Sequence, residues 1–201
     1  MDVSLRPGWF WHADEQPKTV DELMEIYYTS VGRNGLLLLN VPPDTRGRIA
    51  AEDSAVLVAF RAERDRIFDT DLAQGAKAHA LHRRGQRYAA DHVLDTAYHT
   101  YWAARDAHAT ITLDFDSLTG FDLVVLQEYI PLGQRVTGVS MLYDTAGNGR
   151  YDQRIEGLCT TVGYKRIVRL DQPVQCRSLI LYIDALAPPV INRIALYNSQ
   201  P

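Results

Sequence analysis

Leu36-Leu37-Leu38-Leu39-Asn40-Val41 is an unbroken apolar run too short for a helix. Such a run suits a strand buried on both faces, the mark of a parallel sheet. Pro42-Pro43-Asp44 ends it, because proline cannot donate to a ladder. Upstream, Thr19-Val20-Asp21-Glu22 spells a capping box, so a helix is predicted to start there. Val20, Leu23, Met24, Tyr27, Tyr28 and Val31 then recur at three- and four-residue steps, and Gly32 is placed to end the helix. Downstream, a second amphipathic segment runs from about Ala51 to Phe68 and places Leu57, Phe60, Arg61, Arg64 and Ile67 along its length. Helix, buried strand and helix form the repeating unit of an α/β fold. One unit leaves its ladder groups and apolar faces unpaired, so residues 1–68 are expected to be a truncated piece whose open face favours self-association.

Between Asp69 and Arg87 the pattern lapses into a polar, glycine-containing stretch, Gln74-Gly75-Ala76-Lys77-Ala78-His79 and Arg83-Arg84-Gly85. It reads as a linker that runs into the first strand of the next domain. After it the period changes to two. Thr110 to Phe115 alternates, Phe121 to Gln127 is a buried strand, and Arg135 to Tyr143 is another. Tyr164 to Leu170, Ser178 to Ile183 and Ile191 to Tyr197 add three more, separated by turn signals such as Thr145-Ala146-Gly147-Asn148-Gly149 and Pro188-Pro189. Residues 88–201 are therefore expected to form an antiparallel β-sandwich.

Composition excludes several classes. The apolar share is 46%, the charged share 23% and the net charge −4, values of an ordinary folded protein with no nucleic-acid footprint. Arg83, Arg84 and Arg87 are the nearest approach to a basic cluster, and the reading preferred for them is a solvated linker. No apolar run approaches the roughly 20 residues of a membrane span, and no leader pattern opens the chain, which as given reads as soluble and untargeted. Cys159 and Cys176 are too few for a disulfide framework or a zinc site. Free buried thiols are expected, with a single cross-strand disulfide as the alternative.

Asp2-Val3-Ser4-Leu5-Arg6-Pro7-Gly8-Trp9-Phe10-Trp11-His12, Ile26-Tyr27-Tyr28, Ser30-Val31-Gly32-Arg33-Asn34-Gly35 and Leu37-Leu38-Leu39-Asn40-Val41-Pro42-Pro43-Asp44 together resemble the α-L-fucosidase family of glycoside hydrolases, family 29. Val93-Leu94-Asp95, Thr100-Tyr101-Trp102-Ala103, Val125-Leu126-Gln127-Glu128, Leu132-Gly133-Gln134-Arg135 and Gly163-Tyr164-Lys165-Arg166 resemble the discoidin-like (F5/8 type C, galactose-binding-like) sandwich that follows the barrel in bacterial and plant members. The resemblance covers nearly the whole chain. It implies the end of an incomplete TIM-type α/β barrel, followed by an all-β antiparallel sandwich. It also implies a parent that cleaves terminal α-L-fucose from fucosylated glycans with retention, and that is secreted, periplasmic or cytoplasmic in a bacterium.

Retention requires two carboxyl groups about 5 Å apart across the glycosidic bond. The family nucleophile is an Asp on an earlier barrel strand, and an acidic residue commonly stands just before the Asp-Val-Ser run, where this chain has Met1. Asp2, Asp14 and Glu15 lie near the run but match no nucleophile motif. The catalytic residues therefore stay unknown, and the chain alone is expected to be inactive. A non-catalytic carbohydrate-binding or structural module is the alternative.

Arg6, Trp9 and His12 fall in the segment that would line the barrel mouth, where a sugar pocket needs an aromatic face beside a few polar groups. They are the substrate-binding candidates for the parent, whereas packing of Trp9, Phe10 and Trp11 is the reading preferred for this shorter chain. Asn40, at the strand end, reads as a turn residue. In the sandwich, Asp95 and Thr100 bracket a loop that wraps a structural calcium in many discoidin-like domains, although Thr96-Ala97-Tyr98-His99 and Asn192-Arg193 depart from the usual pattern. No other cofactor is implied. Trp102 is expected in the core, Gln127, Glu128 and Arg135 are read as polar groups at one edge, and the histidines show no metal-ligand spacing.

Overall fold

A computed structural model describes residues 1–200. They divide into two compact units with the boundary between Asp69 and Thr70.

In the first unit, β1 (Asp2–Ser4) and β2 (Leu38–Asn40) pair in parallel, Val3 opposite Leu39. Two helices accompany them, α1 (Val20–Ser30) and α2 (Ala51–Phe68). The capping box forms: the Glu22 N–H donates to Thr19 Oγ1 at 3.3 Å and the Thr19 N–H donates to Glu22 Oε2 at 2.7 Å. These bonds hold the Glu22 carboxyl below its ordinary range. Leu23, Met24 and Tyr28 are buried, and Tyr27 meets the rings of Phe60 and Phe68 at 6.4 and 5.8 Å. The exit of α1 uses other residues than expected. Val31 is the C-cap, Asn34 takes the left-handed position at φ 70°, and the Gly35 N–H bonds the Ser30 carbonyl. A side chain on Gly35 would place Cβ 3.0 Å from that carbonyl oxygen, which is why glycine stands there.

Two expectations for this unit need correction. Only Leu38–Asn40 of the Leu36–Val41 run is strand, and it is not buried on both faces: Leu36 is 78% and Leu38 61% exposed. Burial depends on the layers placed against a strand, and this unit supplies a single neighbouring strand. The second helix is also weakly amphipathic, since only Asp53 and Ile67 on it are buried and Val58 is 67% exposed.

The second unit is a β-sandwich built from one continuous antiparallel sheet. Its strands are β3 (Lys77–His79), β4 (Trp102–Ala103), β5 (His108–Glu128), β6 (Val136–Asp144), β7 (Gln153–Cys159), β8 (Arg166–Ala185) and β9 (Val190–Tyr197), in the order β4-β9-β5-β8-β6-β7 with β3 against β5. Segments expected as separate strands are halves of longer ones: Thr110–Phe115 and Phe121–Gln127 both lie in β5, and the segments 164–170 and 178–183 both fall largely in β8. The pairing of β5 with β8 breaks register between Asp114 and Thr119 of β5, opposite Ser178 and Cys176 of β8. The first half of β5 thus pairs the last half of β8 beside β6, and its second half pairs the start of β8 beside β9. Between these halves lies one apolar cluster that includes Trp102, Ile111, Leu113, Phe121, Leu126, Met141, Leu179, Leu181, Ile194 and Leu196. Two inner faces of alternating residues make such a core.

From Thr70 on, the stretch read as a linker is built into this unit. The Asp71 carboxylate accepts from the Leu196 N–H at 3.1 Å and from Arg193 at 2.9 Å, Ala73 is fully buried, Lys77–His79 pairs with β5, and Arg83 bridges Ala104. A polar stretch of this kind hides its strand because three residues are too few for a period. Trp102 is fully buried. Cys159 and Cys176 are buried free thiols, and burial pushes them to about 11 and about 12. No helix among the described residues is long and apolar enough to cross a membrane.

Candidate functional site

The chain leaves the parallel pair at the C-terminal end of β1, and the loop from Leu5 to Lys18 carries the residues singled out above. Its geometry begins with Asn40 at the end of β2. The Asn40 amide donates to Ser4 Oγ and to the Trp9 carbonyl, both at 3.0 Å, while Ser4 Oγ donates to the Gly8 carbonyl at 2.7 Å. Lys18 Nζ donates to the Ser4 carbonyl at 2.7 Å. Asn40 is therefore more than a turn residue: it holds the backbone that presents Trp9.

Arg6 organises the rest of the loop from inside. It is fully buried. Its Nε donates to both oxygens of Asp53 at 3.1 and 3.0 Å, and its Nη2 donates to Glu52 at 2.8 Å. Nη1 donates to the carbonyls of His12 and Glu15, at 3.2 and 2.5 Å, and the guanidinium lies 5.6 Å from the centre of the Trp11 ring. The hydrogen bond to Asp53 outweighs burial and raises the Arg6 pKa above its ordinary value. Arg6, read on sequence as a substrate-side residue, thus has its donors engaged by Asp53, Glu52 and the carbonyls of its own loop.

Trp9 and Phe10 are 53% and 77% exposed, and His12 is exposed. Trp9 and Phe10, for which packing was the preferred reading on sequence, thus leave more than half of their surface open. Two buried polar atoms of the same loop, Trp11 Nε1 and Glu15 Oε2, have no hydrogen-bond partner. A donor and an acceptor of this loop are thus left open. Asp2 and Asp14 are exposed.

In the sandwich, Asp95 and Thr100 do come together. Asp95 Oδ1 accepts from Thr100 Oγ1 at 2.6 Å and from the Ala97 N–H at 2.9 Å, which closes the loop on itself. Next to it, Asn192 is buried, its amide donating to the Tyr98 carbonyl at 3.5 Å while Oδ1 has no partner. No group of three His, Cys, Asp or Glu side chains is placed to hold a metal among the described residues. Tyr88, Tyr101 and Tyr129 stack in sequence, with centroids 5.2 and 4.6 Å apart, and beside the first two lies a cavity of about 180 Å³ edged by Arg87 and His99.

Glu128 was read as a polar edge group, and the structure corrects that. It is 1% exposed, its Oε1 accepts from the N–H groups of Arg135 and Val136 at 2.7 and 3.0 Å, and its Oε2 accepts from that of Gly163 at 2.7 Å. Asp53 was missed entirely on sequence, since its partner stands 47 residues away and nothing in a helical Glu52-Asp53 pair marks one carboxylate as buried.

No family model matches the chain. Along 99% of its length it is 39% identical to Alpha-L-fucosidase 1 of Arabidopsis thaliana, of which it covers 40%. Among solved structures, an α-L-fucosidase assignment from Bacteroides thetaiotaomicron superposes with a TM-score of 0.91 at 38% identity, over 100% of this chain and 45% of that one. A GH29 fucosidase of Ruminococcus gnavus in complex with fucose gives a TM-score of 0.89 at 31% identity, over 98% of this chain and 40% of that one. The chain therefore has α-L-fucosidase homologues along its whole length while spanning about two fifths of theirs.

Proposed function

We propose that the chain is part of an α-L-fucosidase, a retaining glycoside hydrolase that releases terminal α-L-fucose from fucosylated glycans. The observation that carries this reading is 39% identity sustained over 99% of the chain to a protein of that name. The first unit is then the C-terminal portion of a (β/α) barrel, and the second a discoidin-like sandwich. Exposed Leu36 and Leu38 beside a two-stranded parallel sheet support the barrel, since they form a face suited to further layers. Barrel enzymes build their sites at the C-terminal ends of the strands, the end from which the Arg6 loop departs. Trp9 offers an aromatic face and His12 a polar group to substrate, while Arg6 acts through the loop it grips. The two carboxyl groups of the retaining reaction lie outside the residues recognised here, and the chain alone is inactive.

A chimera tests this. The chain replaces the matching segment of the Arabidopsis enzyme, and hydrolysis of 4-nitrophenyl α-L-fucoside is followed by NMR for the anomer released first. Turnover with retention by the chimera and none by the isolated chain is expected. In it, Trp9→Ala lowers kcat/KM by about threefold to tenfold through loss of one stacking contact. A folded chimera without turnover, or hydrolysis by the isolated chain, would defeat the reading.

Asp95 and Thr100 enter the same reading as ligands of a structural calcium. The unpartnered Oδ1 of buried Asn192, whose amide reaches the Tyr98 carbonyl within that loop, supplies the kind of hard oxygen such an ion takes. Calcium should raise the melting temperature of the chain over that in chelator, with no rise in Asp95→Asn. Equal melting in both media removes calcium from the account.

A further inference from the structure

The sandwich has one open flank where both walls depart from regular sheet. On β8, Arg169 pairs Leu123 and Val174 pairs Phe121. One residue, Asp122, separates the partners on β5, whereas four, from Leu170 to Pro173, separate them on β8. The excess residues bulge out of the ladder. On β7, Cys159 pairs Val139 and Ile155 pairs Met141, so the three residues Glu156, Gly157 and Leu158 face the single Ser140. Gly157 takes φ 59° and a side chain there would meet nothing within 4 Å, so its backbone and not its size is what the bulge requires. Bulges re-aim side chains and end pairing, and they gather next to functional sites.

Two cavities lie along this flank, about 340 and about 590 Å³, and they share Tyr143 and Val174. Their volumes fall in the range of roughly 300–1,000 Å³ typical of ligand clefts. The floor is apolar, with Ile155, Leu158 and Leu170. Asp171 and Gln172 on the bulge, with Gln153 and Gln175 farther along, line the rims. All four are exposed. The side chains of Asp171 and Gln172 have no hydrogen-bond or ion-pair partner among the described residues, whereas Glu156 is engaged by Arg154 at 2.5 Å and Ser140 at 3.1 Å.

We propose that this groove binds a neutral oligosaccharide of a few sugar units, which rests on the reading of the parent as an enzyme of fucosylated glycans. Amide and carboxylate side chains over an apolar floor with one tyrosine ring match alternating hydroxyl groups and C–H faces. Each amide supplies donors and acceptors together, as hydroxyls require. An anionic ligand would face the two carboxylates of Glu156 and Asp171 against the one guanidinium of Arg169 in the same lining. An added peptide strand needs a regular edge, and the bulge of β7 and Pro173, which lacks an N–H, interrupt both edges.

The test titrates the full chain with 2′-fucosyllactose, Lewis x trisaccharide and lactose by NMR, observing the amides of β7 and of Leu170 to Gln175. Saturable shifts with a Kd in the millimolar range are expected for at least one sugar. The exposed-residue variant Asp171→Ala/Gln172→Ala/Gln175→Ala should weaken that binding by about tenfold, the effect of losing one or more hydrogen bonds, at an unchanged melting temperature. No saturable shift with any of the three sugars up to concentrations on the order of 10 mM, shifts elsewhere in the sandwich, or binding unaltered in the variant each overturns the proposal. Sugar binding is read here without hydrolysis, and hydrolysis by the chimera is read without this groove, so either idea can fall while the other stands.

Discussion

The two units reach buried carboxylates by opposite routes, and the difference shows what each is made of. In the sandwich, Glu128 is buried by accepting from three backbone N–H groups, and it ties the end of β5 to the start of β6 and to the Gly163 turn. The same unit has a core of apolar side chains that includes Val136 and Leu126 on either side of that tie. In the first unit the sheet has two strands of three residues each, and the loop that leaves β1 is held by the ion cluster of Arg6, Asp53 and Glu52. A sandwich satisfies its polar groups mainly through ladders, whereas the small parallel unit leans on one buried guanidinium.

The comparison breaks most readily at Arg6. Arg6→Ala leaves Asp53 charged and buried without its partner, a loss of about 3–5 kcal/mol. Hydrogen exchange should show lost protection in β1, α1 and the loop, and protection retained there would remove Arg6 from its central place. Glu128→Ala comes next, because three N–H groups lose their acceptor at about 1–3 kcal/mol each when none is replaced. Urea denaturation should show a loss of about 3 kcal/mol, and Glu128→Gln, which keeps one acceptor oxygen, should lose less.

The thiols sharpen the contrast through pH. Cys159 and Cys176 titrate near 9 when unfolded and near 11 and 12 when folded, so above pH 9 the unfolded chain releases protons that the folded sandwich keeps. Stability from these groups is present below pH 9 and falls as the pH rises toward the folded values, by about 2 kcal/mol between pH 9 and 10 for the pair. Urea midpoints at the two pH values, compared with those of Cys159→Ala/Cys176→Ala, should show a shallower fall in the variant. An equal fall in both proteins would place the alkaline sensitivity elsewhere. The smallest effects belong to the first unit's surface. Thr19→Ala should cost about 1 kcal/mol through the cap. Leu38→Glu should change stability by about 0.5 kcal/mol or less while shifting the isolated chain toward monomer in sedimentation, since exposed leucines are the face through which it would self-associate.

Much of this fold was legible because it rests on local chemistry. Thr19 and Glu22 are three residues apart, so a capping box can be read along the chain, and the alternation from Thr110 to Phe115 announces a half-buried strand. Trp102 was correctly placed in the core. A first strand was expected to follow the linker, but its place at 77–79 was not legible because three residues carry no period, and the unity of β5 and β8 was missed because their register breaks look like turns. At the candidate site, Trp9 and His12 were singled out through resemblance, and the structure leaves both exposed. The inward role of Arg6 was not legible, since it depends on Asp53 arriving from a helix 47 residues away.

By itself the sequence determined where helices start, which segments alternate, and that two halves follow different periods, because those properties arise between neighbours a few residues apart. Only the tertiary structure decided which leucines of the Leu36–Val41 run stay exposed, that Arg6 and Glu128 are buried, and that two bulges open a groove over Tyr143. Burial, the pairing of distant charges and sheet register are properties of what lies against a residue in space, and no spacing along the chain encodes them.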